Sequence, residues 1–188
     1  PTRHRVYTYC LDIMYSLIMS TLTCHLVTRN PDAAAAWYTS VLGATEASRI
    51  TLPGGQVLTI ELRFGDSTLS ISDEFPEMGI VSPLTLGGTY GALHLAVEDA
   101  DAVWQRAMTE GATEFEPVHD AFWGDRTGQF IDPFGHRWAI DQHIKDVPHE
   151  EVVRLAAAAF GGARPRRPAA GSHRRWPPAP GPTRTQRR

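Results

Sequence analysis

The tetrapeptide Gly43-Ala44-Thr45-Glu46 recurs identically as Gly111-Ala112-Thr113-Glu114, 68 residues further along the chain. Each copy follows a segment with helical periodicity, residues 31–42 in the first case and 100–110 in the second. Acidic or Asn residues at the start of each helix suit its N-terminus, and the glycine of each tetrapeptide suits its C-terminal end. The repeat predicts two structural units of the same construction.

The segments around the two helices also match. Residues 23–28 (TCHLVT) align with residues 92–97 (ALHLAV), which places His25 and His94 in register. Each tetrapeptide leads into three strand-like runs separated by turns rich in Gly, Pro and Asp. We therefore expect an α+β fold of two βαβββ modules. Each sheet would bury one face under a helix, and the open faces would pair into a half-barrel groove.

The ends of the chain differ from this middle. We expect residues 1–20 to be a leader that is poorly ordered or non-native. At the C-terminal end, residues 161–188 form a tail with eight Arg, six Pro and no acidic residue, a composition that predicts disorder. The expected organisation is a paired domain at 21–147 (module one about 21–73, linker 74–90, module two about 91–143), a C-terminal helix at 148–160 and the tail at 161–188.

Composition excludes several classes of protein. The chain of 188 residues is 42% hydrophobic and 21% charged, which is typical of globular proteins. It contains two cysteines, too few for a disulfide framework or a four-thiolate zinc site. Residues 1–160 hold 21 acidic and 10 basic side chains, a net charge of −11. Such an acidic body argues against nucleic acid, and no apolar run is long enough to cross a membrane. We expect a cytoplasmic protein.

These features resemble the vicinal oxygen chelate superfamily of glyoxalases, bleomycin-resistance proteins and extradiol dioxygenases. The first module contains Trp37-Tyr38 and Val41-Leu42-Gly43, and the second contains the turn Asp132-Pro133-Phe134-Gly135-His136. Within the superfamily the chain most resembles the PhnB-like branch. The segments that carry this likeness are 73–76 (DEFP), 82–83 (SP), 86–88 (LGG), 93–95 (LHL), 97–102 (VEDADA), 122–126 (FWGDR) and 143–147 (HIKDV).

The resemblance implies a fold whose activities range from isomerase to antibiotic sequestration. Metal-dependent members hold one divalent ion with His, Glu or Gln side chains, two from each module. Here those positions fall at Thr23, Ala92, Ala139 and at or beside Ser70, which cannot replace such a set. We therefore expect no cofactor. A divalent metal stays open as an alternative, in a displaced site at His25 and His94 with Glu61 or Asp141, because the histidines share the face of the missing ligands.

Five residues are candidate ligand contacts: His25, Glu61, His94, Trp123 and Arg126. Glu61 faces either solvent or the groove, and in the groove it is a candidate general base. Trp123 offers a flat surface for stacking on a planar ligand. Arg126 either binds a carboxylate or phosphate or bridges neighbouring aspartates.

These observations favour a small-molecule-binding protein of the bleomycin-resistance type that needs no metal and holds a planar or cationic compound in the groove. The alternative is a metal-dependent glyoxalase-like lyase or isomerase that uses the displaced site at His25 and His94. The resemblance also implies a homodimer.

Overall fold

The computed structural model of the chain describes residues 22–161. Each half contains one strand, one helix and three further strands, in the order expected from the repeat. Module one consists of β1 (Cys24–Val27), α1 (Pro31–Leu42), β2 (Thr45–Thr51), β3 (Val57–Phe64) and β4 (Ser67–Ser72). The linker contains a 3-10 turn (Pro76–Met78) and the short helix α2 (Pro83–Leu86). Module two consists of β5 (Leu93–Ala96), α3 (Ala100–Thr109), β6 (Thr113–Asp120), β7 (Asp125–Ile131) and β8 (Arg137–His143).

The two long helices begin and end as their flanking residues predict. The Asn30 side chain accepts a hydrogen bond from the backbone of the first turn of α1, and Asp99 does the same for α3. Gly43 ends α1 with a φ of 77°, in the left-handed region where glycine is favoured. Helix α3 ends one residue before its predicted end, and Gly111 then adopts a φ of 87°. The repeated glycine therefore closes both helical segments.

The two sheets have the same topology. Their strand orders are β1-β4-β3-β2 and β5-β8-β7-β6. The first and last strands of each module pair in parallel, and the other pairs are antiparallel. In this register His25 lies opposite Ser70, and His94 lies opposite Ala139. The repeat thus extends from the sequence to the alignment of individual residues.

One apolar core joins the modules. Helix α1 packs on β2, β3 and β4, α3 packs on β6, β7 and β8, and the two helices contact each other. Trp37 of α1 meets Phe130 of the second sheet edge-on at 6.2 Å, and Tyr38 meets Trp138 at 5.3 Å between ring centroids. Trp104 of α3 contacts the same Phe130 ring. The aromatic side chains of α1 therefore belong to the cores of both modules.

Asp132 provides the polar junction at this core. Its side chain is buried and accepts four hydrogen bonds. The donors are the Tyr38 hydroxyl at 2.7 Å, Trp138 Nε1 at 2.9 Å, and the backbone N–H groups of Phe134 and His136, both at 2.9 Å. Desolvation raises the pKa of Asp132, and these donors oppose that shift. The Asp-Pro-Phe-Gly-His turn is thus anchored to the helix of the other module.

The open faces of the sheets do not form this core. We expected them to face each other, but within the described chain the helix-covered faces share the interior and the sheets do not close a barrel. The reason is the distribution of side chains. Buried Ile60, Leu62 and Ile71 point toward the helices, whereas Glu61 and Ser70 point the other way. Burial of a charged group such as Glu61 on that face would cost desolvation free energy.

A last helix, α4 (His149–Phe160), follows the paired modules and has no buried residue. Its final residue, Phe160, contacts the Phe122 ring at 6.3 Å. No helix within residues 22–161 is long and apolar enough to cross a bilayer. The predicted leader at 1–20 and the predicted tail, apart from Gly161, lie outside the described residues.

Candidate functional site

A row of polar side chains crosses the open face of the first sheet. The strand register aligns Ser48, Glu61, Ser70 and His25 on four neighbouring strands. The Ser48 hydroxyl donates to Glu61 Oε2 at 2.9 Å. The ring of His25 hydrogen-bonds through Nε2 to the Ser72 hydroxyl at 3.0 Å. Glu61 therefore lies on the open face and is also exposed to solvent. It is two strands away from His25.

The second sheet repeats this row with different chemistry. His94 occupies the place of His25, and Gln129 and Glu116 occupy the places of Glu61 and Ser48. Gln129 Nε2 donates to Glu116 Oε2 at 2.7 Å, which parallels the contact between Ser48 and Glu61. The two open faces are thus related by the repeat but differ in the groups they offer.

His94 belongs to a chain of hydrogen bonds on this second face. Its Nδ1 lies 2.8 Å from Asp141 Oδ2, and the Thr127 hydroxyl donates to Asp141 Oδ1 at 2.6 Å. Thr127 is buried, whereas the His94 side chain is 67% exposed. A buried hydroxyl thereby orients the carboxylate, and the carboxylate orients an accessible imidazole. This arrangement can accept a proton or a hydrogen bond from a bound molecule.

The edges of the two modules meet at a cavity of about 990 Å³. His25 from β1 and His94 from β5 both line it. The half-buried side chains of Phe64, Leu93 and Leu95 supply apolar surface, and the almost fully buried ring of Trp138 lies 6.0 Å from that of Phe64. Cys24 also lines the cavity, and desolvation raises the pKa of its thiol, so that the thiol stays protonated at neutral pH. The cavity combines an apolar wall with two imidazoles, a composition typical of small-molecule sites.

Two of the predicted ligand contacts lie elsewhere. Both residues belong to the segment 122–126, and β7 begins within it at Asp125. Arg126 consequently occupies a strand position whose side chain points toward α3, where it donates to both carboxylate oxygens of Asp101 and to Asp120. Of the two alternatives open for Arg126, the structure shows the bridge between aspartates. Trp123 is 41% exposed, packs edge-on against Phe122 and does not line the cavity.

The displaced metal set is only partly assembled. His94 and Asp141 are in direct contact, but His25 is bonded to Ser72 instead. Within residues 22–161, no group of three or more His, Cys, Asp or Glu side chains is placed to hold a metal ion. Two partners, Ser72 and Thr127, are not predicted by the sequence patterns described above. Ser72 and Asp141 are 69 residues apart, the same offset that relates His25 to His94. Aligning the two modules at this offset would therefore have identified Ser72 and Asp141 as the partners of the two histidines.

Comparison with known proteins places this geometry in context. Residues 20–140 match the family model of the Glyoxalase/Bleomycin resistance protein/Dioxygenase superfamily. An uncharacterised protein of Mycobacterium tuberculosis (strain ATCC 25618 / H37Rv) is 35% identical over 144 residues, which cover 75% of this chain and 85% of that protein. A similar protein of Mycobacterium bovis is 37% identical over 134 residues, 70% of this chain and 88% of the relative.

Solved structures show the same fold at lower identity. Protein PA1353 from Pseudomonas aeruginosa aligns with a TM-score of 0.57 at 22% identity, over 68% of this chain and all of that one. TnmS3, an antibiotic binding protein from Streptomyces sp. CB03234, aligns with a TM-score of 0.52 at 20% identity, over 67% of this chain and 98% of its own. These likenesses concern the fold alone.

Proposed function

The chain belongs to the glyoxalase/bleomycin resistance protein/dioxygenase superfamily, and we propose that it is a small-molecule-binding member that holds a planar or cationic compound without a metal. The observation that carries this proposal is the cavity between the modules. A volume of about 990 Å³ lies at the upper end of the range for small-ligand sites. The half-buried side chains of Phe64, Leu93 and Leu95 offer apolar surface to a planar molecule, and His25 and His94 offer polar contacts.

Charge favours a cation over an anion. Residues 22–161 contain 20 acidic and 8 basic side chains, a net charge of −12 with histidine neutral. Of the basic side chains, Arg49, Arg126 and Arg154 are each paired with carboxylates. An acidic surface raises the local concentration of cations and speeds their association.

The family relationship supports the class of function but not the identity of the compound. TnmS3 has this fold and is an antibiotic binding protein, which makes antibiotic binding a reasonable activity to test first. We also propose, from the sequence segments given above, that the chain falls in the PhnB-like branch. The missing family ligand positions favour binding without metal over a glyoxalase-like reaction.

A homodimer is the second part of the proposal. Within residues 22–161, the side chains of His25 and His94 on the open faces of the two sheets are exposed. A second copy placed over these faces would enclose a ligand from both sides. Light scattering coupled to size-exclusion chromatography tests this directly, and a monomeric mass over the full range of working concentrations would refute it.

Two measurements test the binding function. Mass spectrometry of untagged protein purified without chelator gives its divalent metal content, and calorimetry with planar cationic compounds gives binding. We expect well under one metal ion per chain, and saturable binding of at least one planar cation. One metal ion per chain that is lost in the His25→Ala variant, together with turnover of an α-keto aldehyde, would instead support the metal-dependent alternative and overturn the proposal.

A further inference from the structure

The two cavity histidines occupy equivalent places in the repeat but have different partners. His25 bonds through Nε2 to the hydroxyl of Ser72, which itself donates to the backbone carbonyl of Asp73. His94 bonds through Nδ1 to the carboxylate of Asp141. Because positions 72 and 141 correspond in the repeat, the difference is a replacement of a hydroxyl by a carboxylate at one place in the fold.

These partners determine which ring nitrogen is available to a ligand. A carboxylate only accepts hydrogen bonds, so neutral His94 carries its proton on Nδ1 and leaves the lone pair of Nε2 free. The Ser72 hydroxyl is already a donor, so it accepts from His25, which therefore carries its proton on Nε2. Thr127 is 6% exposed and holds the second oxygen of Asp141, which keeps the carboxylate aligned with the imidazole.

The electrostatic environment of the two histidines also differs. The face that carries His94 also carries three carboxylates and one guanidinium, those of Glu116, Asp125, Asp141 and Arg137. Its net charge is therefore −2 with the histidines neutral. His119 and His143 share that face and contact Glu116 and Asp125 respectively.

The face that carries His25 has one carboxylate, that of Glu61, and one guanidinium, that of Arg63, so its net charge is zero. Asp66 of module one also lines the cavity, but the carboxylate of Asp141 contacts His94 directly, whereas His25 contacts a hydroxyl. The second module therefore combines an imidazole acceptor with an adjacent negative charge and the more negative sheet face. A protonated nitrogen needs both an acceptor for its N–H and a nearby negative charge.

We propose that His94 and Asp141 form the recognition pair for a protonated nitrogen of the ligand, such as an amidinium or an aminoheteroaromatic cation. His94 Nε2 accepts the N–H, and Asp141 stabilises the positive charge through the imidazole. The apolar part of the ligand lies toward Phe64, Leu93 and Leu95, which line the cavity. This inference rests on the proposed function, and it assigns the cation to module two.

The test uses two planar dyes of nearly the same shape. 9-Aminoacridine is a cation at neutral pH, and acridine is neutral there. Calorimetry measures the affinity of both for the wild-type chain, for Asp141→Asn and for the matched control Ser72→Ala. Asn keeps the size of the side chain and an acceptor for His94 but removes the charge. We expect the wild type to prefer the cation, and Asp141→Asn to weaken cation binding roughly tenfold or more.

The control outcomes separate this inference from the binding function. Acridine affinity should change less than about threefold in both variants, and so should the affinity of Ser72→Ala for the cation. An equal loss for both dyes in Asp141→Asn, or an equal cation loss in Ser72→Ala, would overturn the inference while binding itself stands. Failure of the wild type to bind either dye overturns both. If Asp141→Asn does not fold, His94→Ala takes its place, because the His94 side chain is exposed. We expect the same loss of affinity for the cation relative to the wild type.

Discussion

Tyr38→Phe removes a single hydroxyl from the junction between the two modules. That hydroxyl donates to Asp132 Oδ2 at 2.7 Å, and both side chains are buried. The substitution leaves the ring and its contacts with Trp138 and Phe134 in place. It therefore isolates one hydrogen bond to a carboxylate from the packing around it.

The magnitude follows from what Asp132 retains. A hydrogen bond to a charged group contributes about 1.5–3 kcal/mol to the free energy of unfolding. The carboxylate keeps three donors in the variant, namely Trp138 Nε1 and two backbone N–H groups. We therefore expect the lower part of that range, about 2 kcal/mol. For a chain of this size, the corresponding decrease in Tm is about 4–8 °C.

Chemical denaturation of the variant and the wild type measures this loss. The matched control is Tyr90→Phe, the same chemical change at a fully exposed side chain, for which we expect a change below about 0.5 kcal/mol. Asp132→Asn should cost more than Tyr38→Phe, about 3–5 kcal/mol, because an amide places a donor against donors whichever way it turns. A loss in Tyr38→Phe no larger than in Tyr90→Phe, or an Asp132→Asn variant more stable than Tyr38→Phe, would refute the reasoning.

Three further substitutions test separate parts of the structure. Gly124→Ala should lower the free energy of unfolding by at least about 1–3 kcal/mol in denaturation, because Gly124 has a φ of 106° and an added Cβ would meet a backbone oxygen at 2.1 Å. Gly54→Ala, where nothing lies within 4 Å, is its control, and equal effects would contradict the steric argument. Arg126→Gln should leave the affinity for 9-aminoacridine within about twofold, since Arg126 points toward α3; a tenfold loss would restore it as a ligand contact. The hydrogen bond to Asp125 raises the pKa of His143 above 6.5, so its stabilisation is complete below pH 6.5 and is lost as pH rises through the raised value. The difference in Tm between wild type and His143→Ala should therefore be larger in acid than in alkaline buffer, and a gap independent of pH would show that the imidazole contributes only packing.

The candidate site was only partly predictable from the sequence. The repeat placed His25 and His94 in register, and in the structure both line one cavity. Arg126 was harder to place, because a difference of a few residues in the start of β7 decides whether it lies in a loop or on the helix-facing side of a strand. Successive side chains of a strand point to opposite faces, so errors in strand limits become errors in function.

The amino-acid sequence by itself determined the two-module construction, because helix caps, glycine turns and alternating strands depend on neighbours within a few residues. Only the tertiary structure decided which chemistry each module presents. His94 and Asp141 are 47 residues apart, as are His25 and Ser72, and the parallel pairing of first and last strands brings each pair together. The structure also decided that the helix-covered faces form the core. Apolar side chains lie on that side of both sheets, and their removal from water stabilises this arrangement.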